Sequence, residues 1–341
     1  MRDVPPAIAI PTSTSIGCHP SLLQRSMTHN ELVTIIIVNW NVRELLHACL
    51  TSVYTRGGLA PEQMRVIVVD NASADASAQM VRTHFPQVML IDNQDNVGFG
   101  RANNQALPMC VGPYVLLLNP DTVVEQGAIA DLVKQMEEQP DVAAIGCRLL
   151  NADRTLQRWP GGAYPRLLNL MNHNFFLDRV LPGSWRPMPL YLDRDVSHDI
   201  DVDWVSGACM MLRVSALDGK LFNTEYFMYG EDMELCHRLK QAGGRIVYSP
   251  RVSIIHYQGA SMKKQEGDVL LSSLKGPRQF YRQMRGERAL RIYDAVTVAG
   301  FGLRWGLYRV GSALQPRRGW SAKARSSRDM MQRAWTILRA G

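Results

Sequence analysis

The chain has 341 residues, of which 46% are hydrophobic, and it carries a formal net charge of +7. This length and composition are typical of a globular protein with a large core and one or two domains. No uncharged apolar run reaches the about 18 residues of a membrane span, so we expect no transmembrane helix. The six cysteines include no C-x-x-C pair, so neither a zinc site nor a disulfide framework is indicated, and we expect buried thiols in a reducing cytosol.

Residues 1–31 are rich in Pro, Ser and Thr and lack the apolar segment of a signal peptide, so we expect a disordered leader. The charge is unevenly distributed along the chain. From Lys275 onward there are 15 Lys and Arg against 3 Asp and Glu, whereas the rest has 23 against 28. This asymmetry predicts a nucleic acid or an anionic membrane as a partner of the basic tail.

The first half alternates apolar runs of strand length with segments of helical periodicity. Strands are predicted at residues 32–38, 64–69, 88–91 and 116–118, and helices at 43–54, 101–106 and 125–139, with a further helix after 75 that Ser73 or Asp75 could cap. Such alternation is typical of βαβ units. It predicts an α/β fold with a mostly parallel, doubly wound sheet.

A polar cluster follows each of these strands, at residues 39–41, 70–75, 93–98 and 119–121. The carboxyl ends of parallel strands meet at one edge, where open α/β sheets bind nucleotides. The residues predicted for this nucleotide site are Val38, Asn39, Trp40, Asn41, Asp70, Asn71, Ser73, Asn96, Gly98, Arg101, Asn104, Asn119 and Asp121. A nicotinamide fingerprint is not supported, because Gly98-Phe99-Gly100 lacks the third glycine, and no Walker A lysine motif occurs.

Asp121 stands just beyond the buried run 115–118, because Pro120 cannot continue a central strand. A carboxylate in this position can hold a divalent cation, Mg²⁺ or Mn²⁺, against a phosphate. The alternative is that Asn119-Pro120-Asp121 only forms a turn.

The second half is less regular. Residues 142–150 are predicted to form a strand pair around Gly146, and residues 155–200, which show no clear period, to form a long variable loop. A buried strand follows at 202–213. A helix then runs from Glu231 to Ala242, where Gly243-Gly244 ends it, and a final strand covers 245–248.

Seven short motifs between residues 32 and 262 resemble those of glycosyltransferase family 2, in its order and rough spacing, and most closely its bacterial rhamnosyltransferase-like branch. They are residues 34–41, Asp70-Asn71-Ala72-Ser73, Asn96-x-Gly98-Phe99, Asn119-Pro120-Asp121, Trp204-Val205-Ser206-Gly207-Ala208, Gly230-Glu231-Asp232 and His256. The resemblance implies a GT-A fold and an enzyme that binds a nucleoside diphosphate sugar.

The resemblance also implies roles for the acidic residues. Asp70 matches the residue that accepts a hydrogen bond from the donor's base, with a turn cap as the alternative. Asp121 matches the metal carboxylate, while Asn119 stands where many members carry another Asp, which puts strict metal dependence in doubt. Glu231-Asp232 matches the acidic pair whose Asp is the general base, although Asp232 could instead cap its helix.

Three further positions are implied in the same way. His256 matches a residue that ligates the metal or contacts the diphosphate, although a lone His is often a core residue. Trp204, Gly207 and Ala208 match the acceptor-side strand, where an aromatic face can pack on a sugar and glycine permits close approach of the backbone. Trp204 could equally be a core aromatic.

The basic tail contains Arg278, Arg282, Arg285, Arg288 and Arg291 at helical spacing, which predicts a basic stripe on one helix face. The apolar segment 292–314 with its Trp305 and Tyr308 is typical of a helix lying in a membrane surface. We expect no nucleic-acid partner, because no binding motif is recognisable. A merely solvated helix remains the alternative.

The sequence therefore predicts a leader (1–31), a GT-A domain (32–265, with a nucleotide half 32–140 and an acceptor half 141–265) and a basic amphipathic helical tail (266–341). The hypothesis is an inverting hexosyltransferase, cytoplasmic and peripheral on the inner face of the cytoplasmic membrane. It would transfer L-rhamnose from dTDP-rhamnose to a saccharide acceptor, such as a lipid-linked precursor of a cell-surface polysaccharide. The alternatives are a UDP-sugar donor (galactofuranose or N-acetylhexosamine), a sugar nucleotidyltransferase and a non-catalytic assembly partner.

Overall fold

The computed structural model describes residues 31–179, 181–182, 188–226, 229–257, 266–314 and 319–339. The predicted leader, except for Glu31, lies outside the described residues. The strands are β1 Val33–Asn39, β2 Met64–Asn71, β3 Met89–Asn93, β4 Tyr114–Leu118, β5 Thr122–Val124, β6 Val142–Leu150, β7 Gly161–Gly162, β8 Ile200–Asp201, β9 Trp204–Val205, β10 Cys209–Arg213 and β11 Arg245–His256. The helices are α1 Arg43–Arg56, α2 Ser77–His84, α3 Phe99–Ala106, α4 Ala128–Glu138, α5 Leu167–Phe175, α6 Glu231–Gln241, α7 Glu266–Leu314 and α8 Trp320–Arg339.

One mixed sheet forms the centre of the described fold, in the order β3-β2-β1-β4-β10-β6-β11-β5, with β8 beside β11. Strands β3, β2, β1 and β4 are parallel, as are β6 and β11, while β10 runs antiparallel to both of its neighbours. The chain leaves β1 for β2 and β3 and then returns to place β4 on the other side of β1. The crevice outside the ends of β1 and β4 is therefore the topological switch point, where such sheets bind ligands.

The sheet is buried on both faces, which explains the unbroken apolar run of β1. Alternate side chains of a strand point to opposite faces. Ile35 and Ile37 accordingly pack in the cluster formed with α1, α2 and α4, whereas Ile36 and Val38 pack in the cluster formed with α3 and α6. Each fully buried Ile contributes about 1.5–3 kcal/mol of transfer free energy.

Three predicted elements of the second half are wrong. Residues 142–150 form one strand rather than a pair, because Gly146 marks a close approach and not a turn: a Cβ there would lie 2.5 Å from Cβ of Val205. Residues 155–200 are not one structureless loop, since they contain β7 and α5. The predicted strand 202–213 is divided into β9 and β10 by a turn at residues 206–208.

The last strand is also longer than predicted. The predicted strand ended at Tyr248, but a register shift between Ser249 and Ser253 accommodates Pro250, and β11 continues to His256. This bulge matters for the site, because the second part of β11 pairs with β5 and brings His256 opposite Thr122, next to Asp121.

The predicted basic stripe does not lie on one helix face. Helix α7 is interrupted at Gly286, whose φ of 80° and ψ of 172° are not helical. Before this break, Arg278 faces inward and its guanidinium makes two hydrogen bonds with the Asp294 carboxylate, at 2.8 and 2.9 Å. No described helix is long and apolar enough to cross a membrane.

Candidate active site

A hydrogen-bonded network joins the ends of β1 and β2. The Asn39 amide donates to Asp70 Oδ1 at 2.7 Å and to Ser73 Oγ at 3.1 Å, and the Ser73 N–H donates to Asp70 Oδ2 at 2.8 Å. Asp70 is only 1% exposed. Its carboxylate is held in one orientation at the floor of the crevice, where each oxygen keeps further acceptor capacity.

Hydrogen bonds from backbone N–H groups to side-chain oxygens join the loops after β1 and β2. The Asn41 N–H donates to Ser73 Oγ at 2.9 Å, and Asn41 Oδ1 accepts from the Ala74 N–H at 2.7 Å. Asn41 and Ala72 have φ values of 55° and 59°, a region that few residues other than glycine adopt. Trp40 is partly exposed beside them, whereas Val38 lies in the core, so Val38 can offer a ligand only its backbone.

The remaining predicted residues on this side, from the end of β2 to α3, lie in different environments. Asn71 donates to the Gly98 carbonyl at 3.5 Å, and Asn96 Oδ1 accepts from the Gly98 N–H at 3.0 Å, so these three residues adjoin the network. Arg101 is exposed on α3. The oxygen and nitrogen of the Asn104 side-chain amide instead make hydrogen bonds with the backbone of Leu221 and Phe222. Asn104 therefore joins α3 to this segment, and its amide is already engaged.

On the other side of the crevice, Asp121 and His256 meet as β5 and β11 pair. His256 Nε2 lies 3.2 Å from Asp121 Oδ1 and 3.4 Å from the Asn119 amide nitrogen. The Asp121 carbonyl accepts from the Tyr257 N–H at 2.8 Å, and the Asn119 N–H donates to the Ala208 carbonyl at 3.0 Å. Backbone hydrogen bonds therefore hold the segment that carries Asp121 to both β11 and the turn before β10.

Gln157, which sequence reasoning did not select, determines the tautomer of His256. The Gln157 amide nitrogen donates to the His256 carbonyl at 3.1 Å and to Asn151 Oδ1 at 3.2 Å, so its Oε1, 2.7 Å from His256 Nδ1, must accept. The proton of the neutral imidazole is then on Nδ1, and Nε2 presents a lone pair towards Asp121.

The third group lies at the start of α6. Gly230 precedes the helix with a φ of 89°, so the helix cap is Gly230 and not Asp232. Asp232 lies in the first turn of the helix. The Met233 N–H donates to Asp232 Oδ1 at 2.8 Å, and the Gly207 N–H also faces this carboxylate. Glu231 beside it is buried, and its Oε2 has no hydrogen-bond partner among the described residues.

The predicted acceptor residues have different environments. Trp204 is 4% exposed, its Nε1–H donates to the Ala163 carbonyl at 3.1 Å, and its ring packs in the core. The prediction that its face packs on a sugar is therefore wrong, and the core-aromatic alternative holds. Ala208 is buried as well. Gly207 contributes its N–H to the Asp232 carboxylate.

These geometries can be compared with known proteins. The model of the family described as Glycosyl transferase family 2 matches residues 34–219, more than half of the chain. The chain belongs to glycosyl transferase family 2. This assignment confirms the resemblance seen in the motifs and identifies the chain as a hexosyltransferase, in preference to a nucleotidyltransferase or a non-catalytic partner.

Curated family members of similar length are known. The N-acetylglucosaminyl-diphospho-decaprenol L-rhamnosyltransferase of Mycobacterium tuberculosis is 27% identical over 72% of this chain and 82% of its own length. The rhamnosyltransferase WbbL of Escherichia coli is 27% identical over 66% of this chain and 83% of its own. Among solved structures, the mannosyltransferase PcManGT of Pyrobaculum calidifontis, in complex with GDP-Man and Mn²⁺, has a TM-score of 0.57 at 17% identity, covering 92% and 88% of the two chains. It confirms the GT-A fold.

The acidic pair of this family 2 enzyme has strongly shifted pKa values. Burial raises the pKa of Asp232 to about 6, and the N–H groups of Met233 and Gly207 act in the opposite direction. Burial and the negative charge of Asp232 raise the pKa of Glu231 to about 8. Burial therefore opposes the ionisation of both carboxyls, and the negative charge of Asp232 further opposes that of Glu231.

Asp121 and His256 are suited to a cation. A carboxylate oxygen and an imidazole lone pair that face each other at 3.2 Å repel each other unless a cation or a proton lies between them. No cluster of three His, Cys, Asp or Glu side chains able to hold a metal occurs among the described residues. Further ligands would have to come from the substrate and water, as is usual for Mg²⁺.

Proposed function

We propose that this enzyme transfers a sugar with inversion from a nucleoside diphosphate to a saccharide hydroxyl, with Asp232 as the general base. The observation that carries the proposal is the buried Asp232 carboxylate: it accepts hydrogen bonds from backbone N–H groups, including those of Met233 and Gly207, and burial raises its pKa to about 6. A base of this pKa is ionised at neutral pH and still accepts a proton readily. One base is sufficient for a direct displacement.

In this mechanism Asp232 takes the proton of the acceptor hydroxyl as its oxygen attacks the anomeric carbon. A bond forms between these two atoms, and the bond from the anomeric carbon to the diphosphate oxygen breaks on the opposite face. The electron pair leaves with the nucleoside diphosphate, and the configuration inverts. Burial and the charge of Asp232 oppose the ionisation of Glu231, which disfavours a second negative charge beside the anionic donor.

The donor lies in the crevice outside β1 and β4. Asp70, oriented by Asn39 and Ser73, accepts the N–H of the donor's base, and the loop residues around Asn41 and Gly98 line the ribose and diphosphate. Asp121 and His256 Nε2 would hold a divalent cation, Mn²⁺ or Mg²⁺. The cation would neutralise the charge that develops on the leaving diphosphate.

We propose L-rhamnose from dTDP-rhamnose as the donor and a lipid-linked saccharide as the acceptor, supported by the two rhamnosyltransferase relatives. The test is thermal unfolding of the purified protein with dTDP, UDP or GDP, each with and without Mn²⁺ or Mg²⁺. A ligand that binds only the folded state stabilises it. We expect dTDP with metal to raise Tm by roughly 5 °C at about 100 times its Kd, and a preference for UDP would instead favour a UDP-sugar.

We further propose that α7 and α8 hold the enzyme on the inner face of the cytoplasmic membrane. After Gly286, α7 carries apolar side chains at spacings of three and four residues that remain 42–76% exposed: Leu303, Leu307, Val310 and Leu314. The exposed charged residues of 288–339 are basic except for Asp329 among the described residues. An apolar stripe flanked by Arg and Lys suits the surface of an anionic bilayer, and the free thiols among the described cysteines are typical of the reducing cytoplasm.

Vesicle co-sedimentation tests this membrane surface. We expect the protein to bind vesicles that contain phosphatidylglycerol at least about tenfold more than vesicles of phosphatidylcholine alone. The double variant Leu307→Glu/Val310→Glu should remain in the supernatant. Thr51→Glu/Thr55→Glu, which adds the same charges to exposed positions of α1, should sediment like the wild type, and equal sedimentation of both variants would contradict the assignment.

A further inference from the structure

The segment that contains Trp159 connects the two sides of the active site. Gln157, which orients His256, lies two residues before Trp159. The carbonyl of Pro160, directly after Trp159, accepts from the Ser206 N–H at 2.9 Å. Ser206 in turn precedes Gly207, whose N–H faces the Asp232 carboxylate. Trp159 therefore lies two residues, or about 7 Å of backbone, after the residue that orients His256, and directly before the residue that binds the Ser206 backbone next to Gly207.

Trp159 has an unusual backbone and an unusual exposure. Its φ is 72°, a region that bulky residues rarely adopt because it costs free energy. Its N–H donates to the Leu192 carbonyl at 2.8 Å, which holds the backbone in this conformation. The indole nevertheless stays 51% exposed, so burial of apolar surface does not account for the strained backbone.

A second aromatic ring supports the indole from the side of the base. The Tyr191 ring lies 5.4 Å from the Trp159 ring and 5.9 Å from the Trp204 ring, so a row of three aromatic residues leads from the core to the surface. Burial and the negative charge of Asp232 raise the pKa of Tyr191 to about 12. The Tyr191 hydroxyl is thus close enough to Asp232 to sense its charge, and Trp159 is the exposed end of this row.

We propose that Trp159 is the platform on which a sugar ring of the acceptor packs, with Tyr191 behind it, so that the attacking hydroxyl reaches Asp232. Sugar rings present apolar C–H faces, and a half-exposed indole beside polar groups is suited to them. The platform takes the place that the sequence suggested for Trp204. It rests on the proposed transfer reaction and specifies its acceptor class: a pyranose with one apolar face, recognised by packing.

The test compares Trp159→Ala with the wild type, using dTDP-rhamnose and a short-chain N-acetylglucosaminyl-diphospho-prenol as acceptor. We expect the acceptor KM to rise about tenfold, which corresponds to about 1.4 kcal/mol. The KM of the donor and the nucleotide-induced rise of Tm should not change. Leu168→Ala, which removes an apolar side chain of similar exposure (57%) from α5, is the matched control and should keep the wild-type acceptor KM. Trp335, an indole of similar exposure (44%) on α8, serves as the control for the emission measurement below.

Two further measurements separate this inference from the proposed reaction. The acceptor should quench the tryptophan emission of the wild type and of Trp335→Phe but not of Trp159→Phe, a readout that needs no turnover. Trp159→Gly relieves the positive φ, so its Tm should not fall although its acceptor KM rises. An unchanged acceptor KM in Trp159→Ala, or equal quenching in both Phe variants, overturns the platform. A wild type that quenches but does not transfer contradicts the proposed reaction and not the platform.

Discussion

Asp232→Asn is expected to lower kcat by about 10² to 10⁴-fold, the usual contribution of a general base. The amide keeps the size of the side chain and can still accept the Met233 N–H, but it cannot take a proton from the acceptor. Stabilisation by nucleotide and metal should remain. Because the pKa of Asp232 is about 6, kcat/KM of the wild type should rise with pH through about 6, as the carboxylate loses its proton.

Protein stability provides the control on folding. The folded-state pKa of Asp232, about 6, is above its usual value of 3.8. The protonated carboxyl therefore favours the folded state, an effect that is fully present below about pH 3.8 and lost as the pH rises through about 6. Asp232→Asn should consequently unfold at the same or a higher Tm than the wild type above pH 7.

Glu234→Gln is the matched variant for this comparison. It removes a charge from the same helix, where Glu234 pairs with Arg238 at 3.0 Å, and it should retain activity. Substantial turnover by Asp232→Asn, or a loss of the same size in Glu234→Gln, would contradict the assignment of the base.

Asp121→Asn is expected to abolish the metal-dependent part of the nucleotide-induced rise of Tm and to lower kcat by about 10² to 10³-fold, the range found when one electrostatic contact to the developing charge is removed. Asn in place of Asp removes the carboxylate that lies 3.2 Å from His256 Nε2 and leaves the fold of the turn intact. Stabilisation by nucleotide alone, through the Asp70 network, should persist.

The matched variant Asn119→Asp should act in the opposite direction. The side-chain amide of Asn119 already lies 3.4 Å from His256 Nε2, so a carboxylate there adds a ligand oxygen to the same pair. We expect the metal concentration for half-maximal stabilisation to fall about tenfold. If Asp121→Asn kept the full metal-dependent rise of Tm, the cation would have to bind elsewhere.

The cluster of polar residues at the ends of β1, β2 and β4 could be predicted from the sequence because the pattern that places them is local. Each polar cluster directly follows an apolar run, and the parallel topology alone brings the ends of β1, β2 and β4 together. The contact between Asp121 and His256 could not be predicted from local patterns, because a bulge near Pro250 carries β11 past the end that the sequence predicts. Only the family motifs suggested that pair.

The acceptor side could not be predicted in the same way. Gln157 contacts His256 across 99 residues of sequence, and no periodicity marks the segment around it. Trp204, in the short strand β9, and Trp159, in an irregular segment, differ in burial, which the sequence does not reveal at isolated aromatic positions. The strain at Trp159 is likewise a property of the folded backbone.

The most direct test of the account is the anomeric configuration of the product, measured by NMR after the purified enzyme has reacted with dTDP-rhamnose and the N-acetylglucosaminyl-diphospho-prenol acceptor. A single displacement with Asp232 as the base predicts a product whose rhamnosyl linkage has the configuration opposite to that of the donor. A product with the donor's configuration would contradict the single displacement and the role of Asp232 derived from it.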